Sequence, residues 1–289
     1  MLGNATRRMR NLMGRTFGAT WYRREIVRKL GKQSGLPMLV WQMGKVGSST
    51  IYASLGEALP DAPLFHIHML TEEMLKKGEL YQKSQQKGNK AFEFNRCLRE
   101  AFLDSLESGR HWRIVSIVRE PVARNLSAFF QNLDLYYPEL TNRGNALGEI
   151  PVDDLIEKFL QEFDHDRPME WFDSEIRGLL GLDVFAEPFS CEDGYRIYRR
   201  DRFDLLLIRM EDINRIGASA LSSFLDMPEF QLVNRNVGAE KDYADSYRKV
   251  KSRIVFPARY LDKIHGSKYA RHFYTEQELL VFRRRWEKS

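Results

Sequence analysis

The sequence predicts an α/β protein whose central, mostly parallel sheet is flanked by helices in three layers. Three junctions carry that reading. Met38-Leu39-Val40, Arg113-Ile114-Val115-Ser116-Ile117-Val118 and Leu205-Leu206-Leu207-Ile208-Arg209 are apolar runs of strand length, and each runs into a loop or a helix start. Strands that alternate with helical stretches are the pattern of a parallel sheet crossed by helices.

The first junction organises the chain. After Val40 comes Trp41-Gln42-Met43-Gly44-Lys45-Val46-Gly47-Ser48-Ser49-Thr50, and from Ile51 to Leu59 apolar residues recur at helical intervals. Glycines let backbone N–H groups turn inward around an anion, and the first turn of the helix adds unpaired donors and a positive dipole end. Gly44, Val46 and Gly47 are thus candidates to cradle a phosphate. Lys45 supplies a mobile charge, and Ser48, Ser49 and Thr50 supply hydroxyl donors. The alternative is a plain Gly/Ser turn with Lys45 solvated. A Walker A loop is excluded, because that motif places its lysine beside the metal-binding hydroxyl, whereas Lys45 precedes the second glycine, Gly47.

Pro60 and Pro63 mark a turn, and Leu64-Phe65-His66-Ile67-His68-Met69-Leu70 reads as a second strand. Alternation puts His66 and His68 on one face. His68 is nearer the C-terminal end, where open α/β sheets bind their ligands, so it is the better-placed candidate for a proton-accepting base, with His66 second. For each, a hydrogen-bonded structural histidine is the alternative. Residues 71–92 are polar and lysine-rich, an exposed helix and loop suited to the acceptor side of a cleft. Phe94, Cys97, Leu98, Ala101, Phe102 and Leu106 then mark an amphipathic helix that ends near Gly109.

After Val118 the chain continues Arg119-Glu120-Pro121-Val122-Ala123-Arg124-Asn125-Leu126-Ser127. Pro121 suits a first helical turn. Arg119 then sits at the strand end with Ser127 about two turns into the helix, so a guanidinium fork and a hydroxyl can share one phosphate. An Arg119–Glu120 ion pair with Ser127 as a small packing residue is the alternative.

Together the two motifs resemble the sulfotransferases that use 3′-phosphoadenosine 5′-phosphosulfate (PAPS), which pair a lysine-glycine-hydroxyl loop with an arginine followed eight positions later by a serine. Gly44-Lys45-Val46-Gly47-Ser48-Ser49-Thr50 and Arg119 to Ser127 match in type, spacing and order. The Gln-Met-Gly-Lys-Val-Gly-Ser-Ser string is similar to that of bacterial sulfotransferase-like proteins labelled as capsular polysaccharide synthesis proteins, a likeness covering most of the chain beyond residue 36. The resemblance implies a P-loop-like fold and transfer of a sulfuryl group to a hydroxyl, with PAPS as donor and no metal. It implies that Lys45 stabilises the bridging oxygen, that Ser48, Ser49 and Thr50 hold the 5′-phosphate, and that Arg119 and Ser127 select the 3′-phosphate. His68, failing that His66 or Glu72, takes the proton. The acceptor it implies is a carbohydrate of a surface or capsular glycan. A metal-dependent nucleotide phosphotransferase and a non-catalytic nucleotide-binding protein of the same fold are the competing readings.

Later landmarks fit. Trp171-Phe172-Asp173-Ser174-Glu175 opens a helix, and Met210-Glu211-Asp212 follows the last strand, with Asp212 expected to start a helix and Glu211 to pair with a nearby arginine. Asn234, Asn236, Gly238, Lys241, Tyr243, Tyr247 and Lys251 form a polar and aromatic cluster where related enzymes close over the nucleotide; Lys241 or Lys251 is a phosphate contact or a solvated face. Thr275 and Glu278 are spaced for a capping box on the last helix.

Composition bounds the rest. At 289 residues, 43% hydrophobic and 29% charged, the chain has the make-up of a soluble globular protein. It divides into a basic arm, 1–34, and one domain, 35–289. The net charge of +5 is mild, and the arm concentrates it: Arg7, Arg8, Arg10, Arg15, Arg23, Arg24, Arg28, Lys29 and Lys32 against Glu25 alone. Interleaved with Trp21, Tyr22, Ile26, Val27 and Leu30, those cations suit a packed surface helix, or an arm that touches an anionic membrane or substrate. No nucleic-acid partner is expected. Without a signal-like apolar stretch or a membrane span the expected location is the cytoplasm, with peripheral membrane contact through the arm. Cys97 and Cys191 are too few and too far apart for a disulfide framework or a zinc site.

Overall fold

Residues 18–31, 35–84, 90–138, 150–233 and 243–287 are described by the computed structural model of the chain. Their core is a sheet of five strands, β1 (Met38–Trp41), β2 (Leu64–Ile67), β3 (Trp112–Val118), β4 (Tyr195–Arg199) and β5 (Phe203–Arg209), in the order β2-β1-β3-β5-β4. Four of them run parallel; β4 alone is antiparallel, on β5. Every residue of β1 and β5 is buried, which is why both read as unbroken apolar runs. Strand β4, Tyr-Arg-Ile-Tyr-Arg, buries only Tyr198 and forms the sheet edge. Its polar residues leave no apolar run from which a strand is predicted.

Helices cover the sheet: α1 (18–30), α2 (Ser48–Ala58), α3 (Glu72–Ser84), α4 (Lys90–Glu107), α5 (Pro121–Gln131), the short α6 (Leu133–Tyr136), α7 (Val152–Glu162), α8 (Arg167–Trp171), the three-residue α9 (Gly178–Leu180), α10 (Ile213–Leu225), α11 (Ala244–Arg253), α12 (Ala258–His265), α13 (Lys268–Phe273) and α14 (Glu276–Trp286). Two apolar clusters result. The larger surrounds the sheet, where Phe102 meets both Trp41 and Trp112 edge to face at 6.4 and 4.8 Å. The smaller gathers Phe129, Phe130, Phe159, Phe256 and Trp286 from α5, α7, α14 and the turn before α12. The expected capping box starts α14, with Thr275 and Glu278 bonded reciprocally.

The basic N-terminal segment, where described, is a helix packed on the domain. Ile26 is buried, Arg23 pairs with Glu100 of α4 at 2.7 Å, and Arg110 donates to the Leu30 carbonyl at 2.6 Å. Residues 1–17 and 32–34 lie outside the described residues. No helix among those described is long and apolar enough to cross a membrane.

Strand order fixes where a ligand can sit. From β1 the chain moves to β2 on one side and later to β3 on the other, so the loops leaving β1 and β3 diverge and open a crevice at the sheet's switch point. One wall is built by α8 and a π-helical turn, Phe172–Arg177, in place of the plain helix start expected at Trp171. That wall holds the chain beyond β2: Trp171 Nε1 donates to the His68 carbonyl at 3.0 Å, and buried Glu175 accepts from Leu70 N at 2.6 Å, Thr71 Oγ1 at 2.7 Å and Trp41 Nε1 at 3.1 Å. Glu175→Ala orphans all three donors and lowers stability by about 2–4 kcal/mol in urea titration, whereas Glu175→Gln, keeping an acceptor, loses less than half as much.

Candidate functional site

The β1–α2 loop turns through three left-handed residues in four: Gly44 at φ 78°, Lys45 at φ 64° and Gly47 at φ 81°. Glycine takes this conformation without strain; Lys45 does so at a cost of about 1 kcal/mol. Two arginines hold the turn. Arg124 on α5, only 4% exposed, donates Nη2 to the Met43 carbonyl at 2.8 Å and Nε to the Gly44 carbonyl at 3.3 Å. Arg119, at the end of β3, donates Nη1 to the Lys45 carbonyl at 2.7 Å. Three successive carbonyls are thus drawn toward β3 and α5. Because the N–H and C=O of a planar peptide point in opposite directions, the N–H groups of this turn face away from the arginines. The first of them, Gly44 N–H, donates to Gln42 Oε1. Beyond it, α2 starts at Gly47 with no side-chain cap, leaving its first-turn donors to a ligand or solvent.

Charge points the same way. Neither Arg119 nor Arg124 has a carboxylate partner among the described residues. Glu120, adjacent in sequence, instead caps α5 through Val122 N at 3.0 Å and Ala123 N at 2.6 Å, and meets His265 Nε2 at 3.2 Å, which removes the Arg119–Glu120 ion pair from consideration. Burial, with Arg167 nearby, pulls the Arg124 guanidinium down to about 9. Lys251 on α11 is likewise held below its usual value, by desolvation first and then by Arg285 and Arg119. Cations gathered at the mouth of an uncapped helix suit an anion.

Lys45 Nζ reaches across to Gln131 Oε1 at 3.2 Å, which also accepts from Tyr243 Oη at 3.2 Å. Arg124, Ser127 and Gln131 are spaced i, i+3, i+7 on α5, so Ser127 lies on the stripe that faces the glycine loop. Arg119 and Ser127 make no direct bond, since the guanidinium is turned to the Lys45 carbonyl. Ser48 is buried, Thr50 half-buried and Ser49 exposed. Tyr269 Oη fixes Arg119 from behind, accepting from its N–H at 3.1 Å and donating to its carbonyl at 2.9 Å.

The two histidines sit across the loop. His66 and His68 lie edge to face with ring centroids 5.3 Å apart, and His68 forms the wall nearest Gly44. Fully buried Gln42 joins both to the loop. Because Gln42 Oε1 accepts from Gly44, its Nε2 must be the atom directed at Ser48 Oγ (2.8 Å), His68 Nδ1 (3.0 Å) and His66 Nε2 (3.1 Å). Ser48 Oγ is in turn 3.0 Å from His66 Nε2, and His68 Nδ1 is 3.1 Å from the Gln42 carbonyl. His68 Nδ1 cannot both accept from Gln42 Nε2 and donate to that carbonyl; in the tautomer that donates Nδ1–H to the carbonyl, the two Gln42 Nε2 hydrogens go to Ser48 Oγ and His66 Nε2, and His68 Nε2 is left unprotonated as a proton acceptor. Desolvation, followed by the charge of His68, takes His66 down to about 4. His68 is also lowered, by desolvation first and then by Arg124 and Arg167, although its ring is exposed to the crevice. Open edge and shielded floor are compatible: one face meets solvent while protein surrounds the rest.

Glu211 is a correction. It accepts from Glu120 N at 2.9 Å and Tyr274 Oη at 3.0 Å, and burial raises its pKa. The arginine partner expected for it belongs to Asp212, which bonds Arg209 at 2.5 Å and Arg215 at 2.8 Å. The chain leaves β5 with consecutive acids on different partners, Glu211 on the Glu120 N–H and Tyr274, Asp212 on Arg209 and Arg215. Of the C-terminal cluster, Asn234, Asn236, Gly238 and Lys241 lie outside the described residues. Tyr243 and Tyr247 pack on Phe130. Sequence reasoning assigns no role to Arg124, Gln42 or Tyr269; Gln42 adjoins the loop in sequence, whereas only the fold brings Arg124 to its carbonyls and Tyr269 behind Arg119. Among the described residues no group of three His, Cys, Asp or Glu side chains is placed to hold a metal ion.

The architecture defines an α/β protein with a five-stranded, mostly parallel sheet and a crevice at its switch point lined by Arg119, Arg124 and an uncapped helix start. Residues 151–275 match the family model described as NKWYS: "Putative capsular polysaccharide synthesis protein". The matched stretch contains Trp171, Glu175, Glu211 and Tyr269, which back the crevice, and excludes the glycine loop, His66, His68, Arg119 and Ser127. No curated protein and no solved structure matches the chain.

Two outcomes test this geometry without reference to activity. Gly47→Ala forces an L-residue to φ 81° with its Cβ 3.4 Å from Met210, and costs about 1–2 kcal/mol in urea titration. In a proton-NMR titration His66 changes state at about pH 4 and His68 below the ordinary 6.5. Because the folded His66 resists a proton that the unfolded chain accepts, its contribution to stability is full above pH 6.5 and is lost as pH falls toward 4.

Proposed function

We propose that the chain is a sulfotransferase that moves the sulfuryl group of PAPS to a hydroxyl of a carbohydrate, on a P-loop-like scaffold. The observation that carries this reading is the left-handed turn at Gly44–Gly47. Its carbonyls are tied to Arg119 and Arg124, its helix start is uncapped, and it faces a neutral His68. The family match over 151–275 supports a part in polysaccharide synthesis and is the ground for a sugar acceptor.

In this reading the residues fit the donor's two anionic ends. The first turn of α2, with Ser48, Ser49 and Thr50, binds the 5′-phosphosulfate, and Lys45 swings from Gln131 to the bridging oxygen where charge collects. Arg119, Ser127 and Lys251 border the 3′-phosphate position, with Arg124 fixing the loop behind them. The donor supplies an already activated sulfuryl group, so a new oxygen–sulfur bond to the acceptor forms as the bond to the phosphate oxygen breaks. His68 Nε2 accepts the acceptor's proton, and the Gln42 carbonyl holds its ring through Nδ1–H. Because His68 is neutral through physiological pH, it is ready as a base without prior deprotonation.

Calorimetry with 3′-phosphoadenosine 5′-phosphate in EDTA tests donor binding. The wild type binds it without metal, and Lys45→Ala and Arg119→Ala each weaken binding by about tenfold or more. ATP binding that EDTA abolishes points instead to a phosphotransferase. Once an acceptor is in hand, kcat holds as pH falls past 6.5, dropping only below it as His68 takes a proton. His68→Asn cuts kcat by about 10²–10⁴ while leaving nucleotide affinity within about twofold.

A further inference from the structure

Arg167 opens α8, on the crevice wall that holds the chain beyond β2. Two hydrogen bonds bracket it. One turn further on, Trp171 Nε1 donates to the His68 carbonyl at 3.0 Å; just before it, the His165 carbonyl accepts from Asn125 Nδ2 of α5 at 3.0 Å. The start of α8 is thus pinned between the candidate base and the helix that carries Arg124. Both neighbours feel the Arg167 charge.

Arg167 is half-buried, its Nε is closed to solvent without an acceptor, and it makes no hydrogen bond or ion pair with any described residue. The nearby acids are directed elsewhere. Asp166 pairs with Lys263 at 2.6 Å, exposed Asp164 accepts from the Asp166 N–H at 3.3 Å, and exposed Glu170, one turn on, makes no ion pair with it. A half-buried guanidinium that makes no hydrogen bond or ion pair, with Nε shut away from water, is favoured by a ligand that meets its remaining donors.

Resting on the sulfotransferase reading of the same crevice, we propose that Arg167 is the acceptor-binding residue and that the acceptor is an acidic sugar, a uronic acid whose carboxylate docks on Arg167 while its hydroxyl meets His68. The guanidinium fork matches a carboxylate in shape, with two parallel donors to two oxygens. Charge favours a carboxylate over a phosphate monoester, since one guanidinium balances one negative charge and a second would be left unbalanced. Arg167 also separates roles within the crevice: the anions of the donor go to Arg119 and the loop, the anion of the acceptor to α8. A neutral sugar leaves Arg167 unpaired, and so is discriminated against.

Calorimetry with short oligosaccharides of hyaluronan, heparosan and polygalacturonate, each native and carboxyl-reduced, tests this on protein saturated with 3′-phosphoadenosine 5′-phosphate. The expected result is that at least one native oligosaccharide binds the wild type about tenfold or more tightly than its reduced form. Arg167→Ala removes that preference and Arg167→Lys restores part of it, with nucleotide affinity unchanged in both. Equal affinity for native and reduced forms, including no binding of either, overturns the proposal, as does a preference that survives Arg167→Ala. Wild-type protein that fails to bind the nucleotide overturns the donor reading instead, and the same oligosaccharides titrated without nucleotide then decide on Arg167 separately.

Discussion

Two guanidinium groups pulling three successive carbonyls to one side are the constraint from which the site follows. Arg119 and Arg124 take the carbonyls of Lys45, Gly44 and Met43, and peptide planarity then turns the opposite edge of the loop outward as donors. Without that grip, Lys45 would have no reason to sit at φ 64°. Each arginine is itself supported: Arg119 by Tyr269, and Arg124 by burial among backbone acceptors and the Asn125 amide. The loop, β3 and α13 therefore form one mechanical unit. Loss of the Tyr269 hydroxyl would be felt at the glycine loop through Arg119, although the two never touch.

On the far side of the loop Gln42 does the corresponding work. Its side-chain oxygen closes the turn at Gly44, its side-chain nitrogen reaches Ser48 and His66, and its backbone carbonyl faces His68 Nδ1, so the orientation of the candidate base and the shape of the loop are set by one residue. The wall behind His68 depends on Glu175 and Trp171, which hold the chain that leaves β2. Arg167 lies near both His68 and Arg124 and, among the described residues, makes no hydrogen bond or ion pair.

Much of the frame was legible because burial on both faces writes itself into composition. The strands β1, β3 and β5 stand out as apolar runs, and the glycine loop is recognisable because left-handed residues and an uncapped helix start demand Gly44, Gly47 and small hydroxyls. Pairings across the fold were not legible. Arg124 lies five residues beyond Arg119 inside a helix, and no local pattern says that it, rather than Glu120, answers the loop. Glu211 and Asp212 are neighbours of like charge, and only the turn after β5 decides which one meets the arginines. Arg167 follows an aspartate and precedes a proline, an ordinary helix start; its lack of a partner is a property of the packed structure alone.

The most direct test of the account is a crystal structure with 3′-phosphoadenosine 5′-phosphate grown in EDTA. The account predicts the 5′-phosphate on the N–H groups that open α2, within reach of Ser48 and Thr50, and the 3′-phosphate beside Arg119 and Ser127, with the carbonyls of Met43, Gly44 and Lys45 still bound to the two arginines. A nucleotide lodged elsewhere, or a loop whose carbonyls leave the arginines to accommodate it, would contradict the claim that this turn is a preformed anion site.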